Sequence, residues 1–374
     1  MNRRSPTMLL ARAATAFVLP VALLAATAGA ASADDVIGGS ALAAPGLVLA
    51  PGAPAPPTVG AKAFVLADLD SGEILAAQSA HLRLPPASTL KTLTALTLLP
   101  VLDPATEYTA TYEDASAEGS KVGIVVGAPY LVSDLFNGML LPSGNDAAHA
   151  LGEVAGGQAA ALELMNAEAR RLQALDTVAK TTSGLDQPGQ FSSAYDLALI
   201  ARAGLQREDF RELANRKSAD FPGKPATAGP RPTYKIYTQN RLLLRGYDGA
   251  IGVKTGYTTQ AGRTFVAAAE RGGRSYLVTL LGTAGRSEAA AAALLDWAFA
   301  NPDLAGVAQL VDPVPAAALR VAERDGSGTI DAEAAAAETV TETSGFSPRA
   351  TAGVGILGLG VLVTVAGVIG TRWL

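Results

Sequence analysis

Apolar positions divide the chain into stretches of different period. Phe64-Val65-Leu66 and Ile74-Leu75 flank Asp70-Ser71-Gly72, the pattern of a β-hairpin. From Ser88 the spacing lengthens: Leu90, Leu93, Leu96, Leu98 and Leu99 predict an apolar helix that ends at Pro100. A second helix is predicted over 131–141, broken by Pro142-Ser143-Gly144, and a third over 145–154, stopped by Gly156-Gly157. Residues 159–175 and 193–205 add two more. The last third changes to strands at 234–239 and 251–257, then a hairpin of 263–270 and 275–281 across Gly272-Gly273, and an alanine-rich helix at 287–299. Strands at both ends with helices between predict an α/β (α+β) fold. One antiparallel sheet is flanked by helices, and an all-helical lobe is inserted in the middle.

The two ends follow other patterns. Arg3, Arg4 and Arg12 precede a mostly apolar, uncharged run, 13–30, and Ala31-Ser32-Ala33 is a small-x-small cleavage site. Residues 1–33 therefore read as an export signal, although 18 uncharged residues also nearly suffice for an uncleaved anchor. Residues 34–60, rich in Ala, Pro and Gly, read as a flexible tether. Residues 61–300 are long enough for one large domain. Periodicity is lost over 301–350, which reads as a stalk. The uncharged run 352–370, bounded by Arg349 and Arg372, predicts a transmembrane helix. With the signal, this expects a single-pass membrane protein whose middle lies outside the cytoplasm.

Composition narrows the chemistry. There is no cysteine, so an exported domain must rely on its core and not on disulfides. A net charge of −5 without a basic run argues against nucleic acid. With only two histidines, His81 and His149, a catalytic zinc site is not expected, and no other metal or cofactor is called for.

Three short motifs carry the candidate chemistry: Ser88-Thr89-Leu90-Lys91, Ser143-Gly144-Asn145 and Lys254-Thr255-Gly256. Helical spacing places Lys91 one turn beyond Ser88, where its amine can reach the hydroxyl. A serine is a poor nucleophile until a base takes its proton, and lysine is a base only when neutral. Burial and a neighbouring cation lower its pKa, and Lys254 can supply that charge. An N-cap serine and a solvated lysine are the plainer reading of the first motif. Ser143 and Asn145 lie in a break between helices, suited to a proton relay and to holding a substrate backbone, but ordinary turn chemistry also explains them. On a strand, Lys254 and Thr255 suit a carboxylate and Gly256 admits close backbone approach; an exposed edge lysine is the alternative. The N–H groups of Ser88 and Tyr257 are the natural pair for an oxyanion hole.

The surroundings of these motifs resemble the low-molecular-mass penicillin-binding proteins, serine-type D-alanyl-D-alanine carboxypeptidases, a family known for this motif trio. The similar segments are 86–91, Ser-Gly-Asn-Asp-Ala-Ala (143–148), Thr-Ser-Gly-Leu-Asp-Gln-Pro-Gly (182–189), Ser-Ala-Tyr-Asp-Leu-Ala (193–198) and 252–258, within about residues 61–300. The resemblance implies a β-lactamase/transpeptidase-like fold and removal of the terminal D-alanine from peptidoglycan stem peptides through a Ser88 acyl-enzyme, with β-lactams as inhibitors. It implies Lys91 as base, Ser143 and Asn145 as second motif, Lys254 to Gly256 as third, and Arg286 as binder of the substrate's carboxylate. Many members carry a further β domain before their anchor; here 301–350 is short and polar. A class A β-lactamase would need a deacylating glutamate; Glu163 is only a superficial echo, and 182–189 contains none. A non-catalytic wall-binding protein that kept the pocket is a further alternative. A Ser-His-Asp hydrolase is disfavoured by the lack of a Gly-x-Ser-x-Gly elbow.

Overall fold

The computed structural model describes residues 36–315. After a short 3-10 turn at Ser40–Ala43 come β1 (Leu47–Leu49), β2 (Ala63–Asp68) and β3 (Glu73–Gln78). A 3-10 turn, Ala87–Leu90, runs directly into α1 (Lys91–Leu98). The middle of the chain holds β4 (Glu107–Thr109), α2 (Tyr112–Ser116), β5 (Pro129–Leu131), α3 (Val132–Leu140), α4 (Asn145–Val154), α5 (Gln158–Arg171), α6 (Ala194–Leu205) and α7 (Glu208–Asn215). Then follow β6 (Ser218–Pro222), β7 (Thr233–Tyr237), α8 (Arg241–Leu244), β8 (Ala250–Thr258), β9 (Gly262–Arg271), β10 (Arg274–Thr283), α9 (Ser287–Ala300) and β11 (Ala308–Gln309).

The main sheet has the order β1-β3-β2-β10-β9-β8, with β11 also on β3 and every pairing antiparallel. Both of its faces are buried, which explains why its strands read as continuous apolar runs. Val65, Ala67, Val266, Ala268 and Leu277 pack beneath the helices of the inserted lobe. Phe64, Leu66, Phe265, Val278 and Leu280 point the other way, onto Ala291, Leu294, Leu295 and Ala298 of α9. The tight β2–β3 turn is fastened by Asp68 Oδ1, which accepts from the Asp70 and Ser71 N–H groups (3.0 and 2.8 Å), and by Gly72 at φ 79°.

The structure departs from the sequence-based expectation in three places. The inserted lobe is not all helical: β4 pairs with β5 and β6 with β7 in two small sheets. β7 matches the strand expected at 234–239, whereas β4, β5 and β6, of 3 to 5 residues, are too short to show a period. The 34–60 segment is not simply a tether, because Leu47–Leu49 pairs with β3 and Leu42 is buried. The domain also runs past 300: β11 pairs with β3, and Leu310 is 1 % exposed. The Tyr195 hydroxyl donates to Gln309 O (2.9 Å) and accepts from Val311 N–H (3.2 Å). The expected export signal 1–33, most of the 301–350 stalk and the 352–370 helix lie outside the described residues. Among the described residues no helix is long and apolar enough to cross a membrane.

The C-terminal boundary can be tested by truncation. A chain ending after Pro315 should keep the thermal stability of the longer protein. One ending after Ala300 should lose about 3 kcal/mol or more, from the burial of Leu310 and the Tyr195 and β11 hydrogen bonds. Equal melting temperatures for the two would show that 301–315 adds nothing to the fold.

Candidate active site

Pro86, itself in the helical region (φ −77°, ψ −18°), opens the 3-10 turn, and Ser88 lies in that turn, one turn before Lys91. Ala87 takes a left-handed backbone (φ 50°), an uncommon conformation for a residue with a Cβ. Pro86 O anchors the turn by accepting from Thr89 Oγ1 (2.6 Å) and Thr264 Oγ1 (2.9 Å). Lys91 is fully buried, and its Nζ donates to Ser88 Oγ (3.1 Å), Asn145 Oδ1 (2.6 Å) and Ser183 O (2.8 Å). These are three acceptors for three ammonium protons. When the amine is neutral it has one lone pair, and the contact with Ser88 can reverse, the hydroxyl donating to nitrogen.

The second motif sits at the α3–α4 junction. Ser143 has φ 67° and is 2 % exposed; its Oγ, at the cleft wall, has no hydrogen-bond partner. Such an orphaned hydroxyl is costly in a core and marks a position where a reactant or water completes the bonding. The break is held by the buried Asp146 carboxylate, which accepts from the N–H groups of Val122 (2.9 Å), Gly123 (2.7 Å) and Ile124 (3.2 Å). Asn145 turns inward: its Oδ1 accepts from Lys91, and its Nδ2 donates to Glu118 O.

The third motif lies on β8. Lys254 is 1 % exposed and donates to Thr255 O (2.8 Å), so it is no surface-edge lysine. A Cβ on Gly256 would stand 2.3 Å from Thr264 Oγ1 and 2.8 Å from Ser88 N, so only hydrogen fits there. The three motifs thus enclose a cleft of about 510 Å³ lined by Ser88, Ser143, Thr255, Gly256 and Tyr257 among others. Ser88 and Tyr257 both border it, and Tyr257 is 62 % exposed.

Electrostatically the cleft is governed by the two lysines. Burial, and next the Lys254 ammonium, hold the Lys91 pKa well below the usual lysine range, against an opposing pull from Asp146. Burial lowers Lys254 to about 7. The lowering favours the neutral amine of Lys91, the form a general base requires.

Arg286 precedes α9 with its Nε 2.9 Å from Glu288 Oε1, and its side chain is 58 % exposed. Its neighbours Ser287 and Glu288 line the cleft, but Arg286 does not. Two arginines not singled out from the sequence do line it, Arg241 and Arg263. Arg263 pairs with Tyr257 across the β8–β9 ladder, and its guanidinium lies 5.4 Å from the Tyr257 ring centroid. That pairing follows from the hairpin turn, a signal available in the sequence; Arg241 has none. The 180–190 loop was legible only as a resemblance. Its Gln190 accepts from the Lys180 and Thr181 N–H groups and donates to Leu185 O (2.7 Å), shaping the loop whose Ser183 carbonyl meets Lys91. No acid of that loop lines the cleft, and Glu163 is exposed on α5. His149 pairs with Asp114 (2.6 Å), and neither histidine lines the cleft.

Residues 50–284 match the model of the D-alanyl-D-alanine carboxypeptidase family, peptidase S11. The chain is 41% identical over 257 residues to the D-alanyl-D-alanine carboxypeptidase DacB2 of Mycobacterium tuberculosis, covering 67% of this chain and 86% of the relative. The crystal structure of a D-alanyl-D-alanine carboxypeptidase from Mycobacterium tuberculosis is similar with a TM-score of 0.65 at 40% identity, over 71% of this chain and 99% of the other. The Streptomyces K15 DD-transpeptidase gives a TM-score of 0.62 at 28% identity, over 66% of this chain and 100% of the other.

The lysine coupling makes a prediction with a defined sign. In Lys254→Gln the neighbouring charge is gone, so the Lys91 pKa should rise. An NMR titration of the Lys91 side chain, and the acidic limb of acylation by a β-lactam, should both move to higher pH. Because Lys254 titrates at about 7, its charge acts mainly below that pH. A titration of Lys91 that stays in place would assign its depression to burial alone.

Proposed function

We propose, from the premise that this chain belongs to the D-alanyl-D-alanine carboxypeptidase family, peptidase S11, that Ser88 is the nucleophile through which it removes the terminal D-alanine of peptidoglycan stem peptides. The observation that carries this reading is the contact of a fully buried amine, Lys91 Nζ, with Ser88 Oγ at 3.1 Å. Ser88 Oγ attacks the carbonyl carbon of the penultimate D-alanine as its proton passes to neutral Lys91. The oxyanion forms between the Ser88 and Tyr257 N–H groups. As the C–N bond breaks, the leaving amine takes a proton from Lys91 by way of the Ser143 hydroxyl, whose hydrogen bonding is otherwise incomplete. Free D-alanine departs and an ester remains on Ser88. Water then attacks the ester carbonyl, giving its proton to neutral Lys91, which returns it to Ser88 Oγ as the ester bond breaks and the shortened peptide leaves.

Lys254 and Thr255 receive the substrate's terminal carboxylate in this scheme, and Gly256 lets the peptide backbone lie along β8. Arg286 serves as a further carboxylate partner once it swings from Glu288 into the cleft. Asn145 supports the reaction from behind by fixing Lys91, in addition to its expected role toward the substrate. A β-lactam enters the same sequence and forms the same ester. No acid of the 180–190 loop lines the cleft to activate water, so that ester is long-lived, which favours an inhibited peptidase over a β-lactamase.

The test is a pair of measurements on Ser88→Ala. Covalent labelling by penicillin and release of D-alanine from a pentapeptide stem should both fall to background while the melting temperature holds. Labelling that persists at another residue would overturn the nucleophile assignment. A wild-type protein that labels but releases no D-alanine would be a wall-binding protein without turnover. Mass spectrometry of products from a cross-linked dimer distinguishes endopeptidase and transpeptidase action.

We also propose that residues 1–33 export the chain and that 352–370 anchor it, with the catalytic domain outside the cytoplasmic membrane. The apolar runs described from the sequence support this. A truncation ending at Ser344 should be secreted as a soluble, active enzyme. Retention of that protein at the membrane would make the N-terminal run the anchor.

A further inference from the structure

A second cluster of ionisable side chains lies apart from the cleft. His81 follows β3, Asp176 lies in the turn after α5, and Asp196 is in the first turn of α6. One ligand atom from each falls within 4.8 Å of the others. His81 Nε2 faces Ile37 O at 3.1 Å, and a carbonyl only accepts, so that nitrogen carries a proton. Nδ1 then directs its lone pair at Asp176 Oδ2, 2.8 Å away. Two acceptors at that distance repel each other unless a cation accompanies them, either a second ring proton or a metal ion.

Asp196 weights the choice toward a metal. Its side chain is almost wholly buried (1 % exposed), and among the described residues it accepts one side-chain hydrogen bond, from Thr177 Oγ1 (2.7 Å) to Oδ2. The carboxylate borders a cavity of about 430 Å³ also lined by His81, Asp176, Ile37 and Gln173. The half-exposed Arg83 lies outside the trio, bonded through Nε to the other oxygen of Asp176 (2.9 Å).

We propose that His81 Nδ1, Asp176 Oδ2 and the Asp196 carboxylate hold a divalent metal ion of the class that accepts mixed imidazole and carboxylate ligands, of which zinc is the best match. Around a tetrahedral ion, ligand atoms at about 2.0–2.2 Å stand about 3.3–3.6 Å from one another, so His81 Nδ1 and Asp176 Oδ2 part by about half an ångström and the trio's widest span, at most 4.8 Å, closes by up to about 1.5 Å. The outer contacts of such a site are already in place. A ligating histidine gives its remote N–H to a carbonyl, here Ile37, and a ligating carboxylate is held by a donor, here Arg83. Water from the cavity completes the coordination. The ion joins the segment around Ile37, the turn after α5 and the start of α6. It is a structural clamp that takes no part in the chemistry at Ser88.

The experiment uses untagged full-length protein stripped by a chelator and titrated with zinc at neutral pH, read by calorimetry and thermal unfolding. About one ion per chain should bind, and at a hundredfold excess over Kd the melting temperature should rise by roughly 5 °C or more. Asp196→Asn and, independently, His81→Gln should each weaken binding at least about tenfold, while Ser88→Ala binds as wild type. The wild-type titration decides the matter even if one variant fails to fold. No uptake by wild type at millimolar zinc overturns the proposal and leaves a doubly protonated His81 as the cation. Uptake that persists undiminished in both variants overturns it too, by placing the ion elsewhere.

Discussion

The turn that carries Ser88 is gripped between two backbones with no side chain to separate them. On one side is Gly256 of β8, where a Cβ would meet Ser88 N at 2.8 Å; on the other is Gly184, where it would meet Ala87 O at 2.0 Å. Thr264 of the neighbouring strand ties the turn to the sheet through Pro86 O. This contact sets everything else in the cleft. It places the nucleophile against the edge strand that receives the substrate, and it closes the space around Lys91 and Lys254 so that water cannot solvate them.

Enclosing two amines is costly, since each buried charge loses several kcal/mol of hydration unless it is compensated. The protein does not offset this with a carboxylate bonded to either amine. Lys91 meets an amide oxygen, a hydroxyl and a peptide carbonyl, and Lys254 meets one peptide carbonyl. Neutral acceptors satisfy the protons without stabilising the positive charge as an ion pair would, so both pKa values fall. The same economy leaves the Ser143 hydroxyl unpaired at the wall. Stability is given up where the chemistry needs a base and a relay, the usual location of strain and unsatisfied groups.

The scaffold absorbs that cost through a sheet buried on both faces. One layer of helices brings Ser88, Lys91 and Ser143 to the sheet, while α9 covers the other side with small and branched apolar residues. The segments at 36–49 and 308–314 pack against the edge at β3 and the start of α6, so the domain is wider than the segment its periodicity outlined.

The longer strands and helices were legible along the chain, because period and glycine placement are local properties, and the three motifs stood in order. The sequence also set the i to i+3 relation of Ser88 and Lys91, which one helical turn enforces. It did not reveal β4, β5 and β6 or the docking of 36–49 and 308–314, whose pairing depends on partners distant in the chain. Only tertiary structure decided that Lys254 is buried beside Lys91, that Asn145 faces inward to hold it, and that Ser183 supplies a carbonyl from nearly a hundred residues away. It likewise set Arg241 and Arg263 on the cleft and paired Arg286 with Glu288. Burial and electrostatic coupling are properties of neighbours in space, and a linear pattern carries them only where those neighbours are one turn or one hairpin apart.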